Sequence, residues 1–466
     1  MTGATVLFRD ASVDGRIVDV RCDAAMITDV ATPGSSAGAD TVIDAGGGAL
    51  LPGLHDHHVH LFALAAARAS LDLAATRDAA GFDAAVRAAA AAQPADRWLR
   101  VVGYHESVHG SLERTRLDTL APGRRVRVQH RTGAMWILSS AGLEAADVDS
   151  LGPSGVERGD DGEPTGRLIG LDDALRDRVG PEVPDVAGAA RELAGFGVTG
   201  VTDLTPTEDT DTIDLLAAAA LRPDFPLRVV VTGGPGLAAG AGAGLARGPV
   251  KLVVADHALP ALDELTAGIE QARRAGRPVA LHCVSRAALV LALAAWDDAG
   301  AVAGDRIEHG AVIPPESIEQ IRRLGLVVVT QPAFVAERGD EYLADVDPDD
   351  VPHLWRCASL LAAGVGVAGS TDAPHGPANP WQAIAAATQR RTRSGGVLGH
   401  AERIDARRAL DLFLTGPHDP AGRPRRVIEG APADLCLLAE PLDATLADPA
   451  AVDVVAIHHA HSPESS

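Results

Sequence analysis

The sequence predicts an α/β protein. Its centre reads as a (β/α)8 TIM barrel with a long insertion after the first strand, and both chain ends form a small composite β-sandwich domain. Three observations carry this expectation. From Gly197 onward, seven apolar strand-like runs alternate with amphipathic stretches. An eighth run, Leu54 to Leu61, stands near the front, directly after Pro52-Gly53. Outside these, the pattern changes to short alternating segments with turns.

In chain order, the first short segments are Gly15 to Val18, Ala25 to Thr28 and Thr41 to Asp44. Their counterparts at the far end are Arg426 to Ile428, Asp434 to Leu438 and Val452 to Ile457, so residues 1–50 and 425–466 are expected to form one domain. Residues 51–424 supply the barrel, with 62–196 as an inserted lid or subdomain carrying short strands near Leu99 to Gly103 and Val126 to His130. An insertion leaving the carboxyl end of a barrel strand is expected over the mouth. The later strand candidates are Val198–Leu204, Leu227–Thr232, Val250–Ala255, Pro278–Cys283, Arg306–His309, Leu326–Gln331 and Val365–Gly369. Helices fall between them: Leu262, Leu265, Ile269 and Ala272 share one face that Gly276 ends, and Ile318, Ile321 and Leu324 share another that Gly325 ends. The stretch Gly233 to Gly248 reads as a flexible glycine-rich loop.

A chain of 466 residues, 46% hydrophobic and 22% charged, can bury a large core. With 63 acidic against 41 basic residues the net charge is -22, which repels phosphate backbones and anionic lipid and excludes nucleic acid as a partner. A small-molecule substrate is expected, no membrane partner, and a homo-oligomer is left open. Cys22, Cys283, Cys357 and Cys436 form no Cys-x-x-Cys pair and read as reduced thiols, as in a cytoplasmic protein. Lys251 is the single lysine, all other basic residues being arginine. Arginine replaces surface lysine at little cost, so a lysine is spared only where a guanidinium cannot act.

The chemistry begins in the first strand, Leu54-His55-Asp56-His57-His58-Val59-His60. Alternation puts Asp56, His58 and His60 on one face and His55 and His57 on the other. Lys251 lies on the fourth strand, His282 ends the fifth, His309 the sixth, and Asp372 follows the eighth. All stand toward carboxyl ends, where barrels gather functional groups. Imidazole and carboxylate donors without thiolate suit one or two divalent transition-metal ions, zinc first, with manganese, iron, cobalt or nickel also accommodated. Asp56 reads as a partner orienting an imidazole or as a structural carboxylate.

These residues, in this order, resemble the amidohydrolase superfamily, specifically the amidohydrolase family 3 branch that includes N-substituted formamide deformylases. The matching motifs are Leu51-Pro52-Gly53, Asp56-His57-His58-Val59-His60, Val250-Lys251, His282, Arg306-Ile307-Glu308-His309, Gln331-Pro332, Gly369-Ser370-Thr371-Asp372 and Gly430-Ala431-Pro432-Ala433-Asp434-Leu435. The resemblance implies that Lys251 takes up CO2 as a carbamate bridging two cations. His58, His60 and Asp372 would then hold one ion, and His282 and His309 the other. It also implies hydrolysis of a non-peptide C–N bond (N-acyl, N-formyl or cyclic amide) by metal-activated water, with Asp372 shuttling the proton. An ester or lactone hydrolase, a deaminase and an inactive metal-binding protein are the alternatives on the same barrel.

Substrate contacts are expected from Tyr104, His105 and Trp136 in the insertion, where His130, Arg131 and Met135 are further candidates. On the barrel they are expected from Asp203, His257, Gln331 and His375. Cys283, next to His282, reads as a packed thiol turned outward. The Gly34-Ser35-Ser36-Ala37-Gly38 run lacks the strand-to-helix context of a nucleophile elbow, and His458, His459 and His461 read as a solvated tail.

Overall fold

A computed structural model describes residues 5–459 except 24, 74–75, 131–134, 152–153, 180–183, 207–209, 238–243 and 257. The chain divides into two compact units, residues 1–61 with 186–466, and residues 62–185.

The first unit is built on eight parallel strands: β1 (Leu54–Val59), β2 (Val198–Asp203), β3 (Arg228–Val231), β4 (Val250–Val253), β5 (Val279–Cys283), β6 (Arg306–His309), β7 (Val327–Thr330) and β8 (Gly366–Gly369). Every residue of β1, β2, β6 and β7 is buried, as expected of parallel strands covered on both faces. One sheet runs in the order Leu245–Arg247, β3, β2, β1, and the other takes β4 to β8 in sequence. Backbone bonds link them at both edges. Lys251 N–H donates to the Gly233 carbonyl at 3.2 Å, while Asp372 N–H reaches the His58 carbonyl at 2.8 Å and His60 N–H the Ala373 carbonyl at 2.9 Å.

The glycine-rich stretch is only partly the loop expected, because Leu245–Arg247 pairs in parallel with β3. Pairing then steps over Gly248-Pro249 before β4 begins, leaving carbonyls without ladder partners. Arg277, buried, fills that gap by donating to the carbonyls of Gly248 (2.9 Å), Gly234 (2.7 Å), Pro249 (2.8 Å) and Thr232. The backbone that presents Lys251 is thereby fixed. Helices Leu262–Arg274 and Pro315–Leu324 occupy the predicted spans, and the second ends on Gly325 in the left-handed conformation (φ 68°).

At the chain ends, a four-stranded sheet (Ile27–Ala31, Arg16–Cys22, Val6–Val13, Thr41–Asp44) accompanies a three-stranded one (Val454–His458, Leu435–Leu438, Leu50–Pro52). Phe8, Val20, Ile27, Leu50, Leu435 and Leu437 share one apolar cluster. Arg426 to Ile428 forms no strand: Val427 enters the cluster and Ile428 is exposed. The histidine tail also differs from expectation. His458 pairs opposite Leu435, and His459 Nδ1 lies 2.9 Å from Asp434 Oδ1; His461 falls outside the described residues.

The second unit carries a six-stranded sheet with two apolar clusters. Tyr104 is buried in the first, its hydroxyl donating to the Gly110 carbonyl at 2.7 Å, and Trp136 packs with Trp98 and Leu138 in the second. Among the described residues no helix is long and apolar enough to cross a membrane. All four cysteines are free and buried.

Candidate metal centre

The ends of β1, β6 and β8 bring His58, His309 and Asp372 together, with donor atoms all within 4.8 Å of one another. His60, Asp372 and His375 form an overlapping group on the same criterion. Asp372 is common to both. Its Oδ1 lies 3.5 Å from His58 Nε2 and 3.3 Å from His60 Nε2, and its Oδ2 lies 3.9 Å from His309 Nδ1. The His282 ring centroid lies 4.5 Å from that of His309.

Strand alternation alone does not build this cluster. In Arg306-Ile307-Glu308-His309 it places Glu308 inward and His309 outward. Yet both reach the centre, because the His309 backbone turns left-handed (φ 70°) at the strand end. Asp372 is likewise left-handed (φ 56°). Such conformations are costly for residues with a Cβ and collect at functional sites.

Three imidazoles are set in the same tautomer by three different partners. His58 Nδ1 lies 2.6 Å from Glu308 Oε2, and a carboxylate only accepts, so the proton is on Nδ1. Glu308 is buried, yet the Arg306 guanidinium, bonded to its other oxygen, and His58 outweigh the burial and hold it ionised well below the usual range. Thr205 Oγ1 donates to Asp203 at 2.6 Å and so accepts from His60 Nδ1 at 3.3 Å. Gln331 donates to Ser370 Oγ at 2.9 Å and turns its oxygen to His309 Nδ1, also 2.9 Å away. Each ring therefore keeps the Nε2 lone pair free. Burial pushes His58 and His282 down to about 4 and His309 well below its ordinary value, so all three are neutral donors near pH 7.

Lys251 is buried, and burial pulls its amine down from the usual lysine value. Its Nζ, His58 Nε2 and Asp372 Oδ1 are buried polar atoms with no hydrogen-bond partner. Unsatisfied groups of this kind are expensive. An imidazole and carboxylate donor set with lone pairs left open fits a divalent cation.

Other expected site residues are placed differently. Asp203 is wholly buried, and its carboxylate accepts from Leu61 N–H (2.9 Å) and from Thr205 N–H (2.9 Å) and Oγ1 (2.6 Å), so it positions the His60 support and leaves no atom for substrate. Gln331, also wholly buried, holds His309. Tyr104 and Trp136 are taken up by the second unit's core, and His105 caps its own short helix through Nδ1, accepting from Ser107 N–H at 3.2 Å. His130 Nε2 lies 3.0 Å from Glu106 Oε2. His257 and Arg131 lie outside the described residues. His375 remains exposed beside His60. Asp56, pushed up to about 7 by burial, accepts from His58 N–H and from Thr371 N–H and Oγ1, tying β1 to the end of β8 and orienting no ring. His55 and His57 bond to Thr202 (3.0 Å) and Thr415 (2.8 Å) on the other face, and Gly200 leaves room for His55, whose Nδ1 would lie 2.6 Å from an added Cβ. Glu308 was legible in the motif but carried no expected role. Its signal is an acidic residue two positions after Arg306, on the same face of a short strand.

A family model described as the amidohydrolase family matches residues 41–464. The chain belongs to the amidohydrolase family. It is 24% identical to the amidohydrolase YtcJ of Bacillus subtilis over 89% of this chain and 87% of that protein. It is also 24% identical to the N-substituted formamide deformylase of Arthrobacter pascens, over 85% and 84% respectively. Among solved structures, a metal-dependent hydrolase from Pyrococcus furiosus shares the fold with a TM-score of 0.74 at 20% identity, covering 94% of this chain and all (100%) of that one.

Replacing Glu308 with glutamine in this amidohydrolase is expected to lower metal affinity about 10- to 100-fold, because the His58 proton loses its ionised acceptor. Competition against a chromogenic chelator reads this directly.

Proposed function

We propose that this amidohydrolase is a metal-dependent hydrolase of non-peptide C–N bonds in N-acyl, N-formyl or cyclic amides, acting on a small molecule in the cytoplasm. The reading takes the two parallel sheets as one closed (β/α)8 barrel, supported by the backbone bonds at both edges. The observation that carries it is the set of partnerless buried atoms, His58 Nε2, Asp372 Oδ1 and Lys251 Nζ, in a cluster of neutral imidazoles. The likeness to a formamide deformylase supports including formamides.

His58, His60 and Asp372 would hold one ion and His282 and His309 a second, with Lys251 between them. A divalent cation, zinc first, supplies Lewis-acid polarisation of a carbonyl oxygen and a lowered pKa for water. The lowered Lys251 amine favours its neutral form, which can add to CO2. An N–C bond forms, a proton leaves, and the carbamate offers two oxygens and one negative charge where an ammonium would repel a cation. Asp372 takes the proton of the attacking water and returns it to the departing nitrogen. Glu308 and Thr205 keep His58 and His60 turned with Nε2 toward Asp372, and Gln331 accepts from His309 Nδ1 and leaves its Nε2 lone pair open.

Chelator-treated protein is expected to lose hydrolysis of a panel of N-formyl, N-acyl and cyclic amides and to regain it on addition of zinc. Protein that binds no transition metal, and hydrolyses none of the panel once metal is supplied, contradicts the reading.

A further inference from the structure

The substrate's charge can be read from one cation beside the centre. Arg338 stands on the helix Ala333–Asp345, which begins just after β7 and Gln331-Pro332. Its guanidinium carbon lies 4.4 Å from the ring centroid of Phe334, one turn earlier, and its Nη2 donates to the His375 carbonyl at 2.7 Å. The His375 ring in turn stands edge-on to His60, centroids 5.5 Å apart, and His60 Nε2 is 3.3 Å from Asp372 Oδ1. Two residues thus separate the guanidinium from the Asp372 carboxylate. Stacking, one backbone acceptor and the Tyr342 side chain, which also bonds to Arg338, fix its plane, which removes much of the entropy an arginine loses on binding.

Its charge finds no carboxylate. Acidic residues outnumber basic ones 63 to 41 in this chain. The adjacent Glu337 nevertheless pairs with Arg393 at 2.6 Å, and among the described residues no acidic side chain forms an ion pair with Arg338. Arg338 is half-buried, and His375 beside it is exposed, so a molecule entering near His60 can reach both. A planar, preoriented fork of N–H groups matches the two oxygens of a carboxylate.

We propose that Arg338 is a specificity-determining residue that binds a carboxylate on the substrate, so that the amides admitted carry an acidic group apart from the bond cleaved. The inference rests on reading the His58–Asp372 cluster as the hydrolytic centre. The test uses the zinc-loaded full-length protein and N-formyl derivatives of glycine, 4-aminobutyrate and 6-aminohexanoate, each against its neutral carboxamide. Binding is measured by calorimetry and cleavage by formate release. At least one acid is expected to bind about tenfold or more tightly than its carboxamide. In Arg338→Gln that ratio falls to roughly twofold or less, and Arg338→Lys, which keeps the charge but not the fork, recovers part of it. A purely structural role would weaken acid and carboxamide alike and leave the ratio unchanged. An equal affinity for acid and carboxamide, a preference that survives Arg338→Gln, or no binding by any acid overturns the proposal. Formate released equally from both members overturns it while leaving the hydrolase reading intact. Acid-selective binding that Arg338→Gln abolishes, without formate release, supports carboxylate binding by Arg338 and counts against N-formyl substrates alone.

Discussion

Lys251→Arg is expected to reduce bound metal from about two ions per chain to about one and to lower turnover by roughly 10³-fold or more, with the fold retained. The physical cause is specific. A guanidinium stays protonated and cannot become a carbamate, so a positive charge would sit where a bridging anion is needed. Because the site is buried, a second variant separates chemistry from packing: Lys251→Ala opens a cavity that a small carboxylate such as propionate can enter. Its two oxygens supply what the carbamate would, and both metal content and activity are expected to recover in its presence. Elemental analysis and steady-state kinetics read the two effects. Wild-type turnover in Lys251→Arg would reject the bridging role.

Asp372→Asn should lower kcat by about 10²- to 10⁴-fold, in line with loss of a positioned general base and acid. The amide oxygen still offers a lone pair to a cation, but it cannot take a proton from water at neutral pH. Retained metal with a collapsed kcat and a little-changed KM is the expected pattern. If kcat is preserved, the proton shuttle lies elsewhere.

The sequence made the parallel architecture legible because its signal is repeated: strands buried on both faces read as apolar runs, and Gly325 marks a helix end in its own chemistry. The ligand candidates were legible for a similar reason. His58, His60, His309 and Asp372 stand at or just beyond the carboxyl ends of the strands, and they meet around Asp372. What stayed hidden depends on contacts between distant segments. Gln331 looks like a substrate residue from its position, yet it is closed off between His309 and Ser370. Asp203 is spent on Leu61 and Thr205, and Tyr104 on its own unit's core. Glu308 shows the reverse. Its importance comes from a 2.6 Å bond to a ring 250 residues away, which no local pattern encodes. Strict alternation also misplaces His309, whose inward turn comes from a left-handed backbone at the end of β6.

The central claim is that His58, His60, His282, His309, Asp372 and Lys251 gather to hold divalent metal. Anomalous diffraction at the zinc absorption edge, on crystals of zinc-loaded protein, tests it most directly. The account predicts strong anomalous peaks bounded by these side chains, together with density extending Lys251 beyond Nζ. Crystals whose only anomalous signal lies away from Asp372, or that show none with the cluster fully ordered, would contradict it.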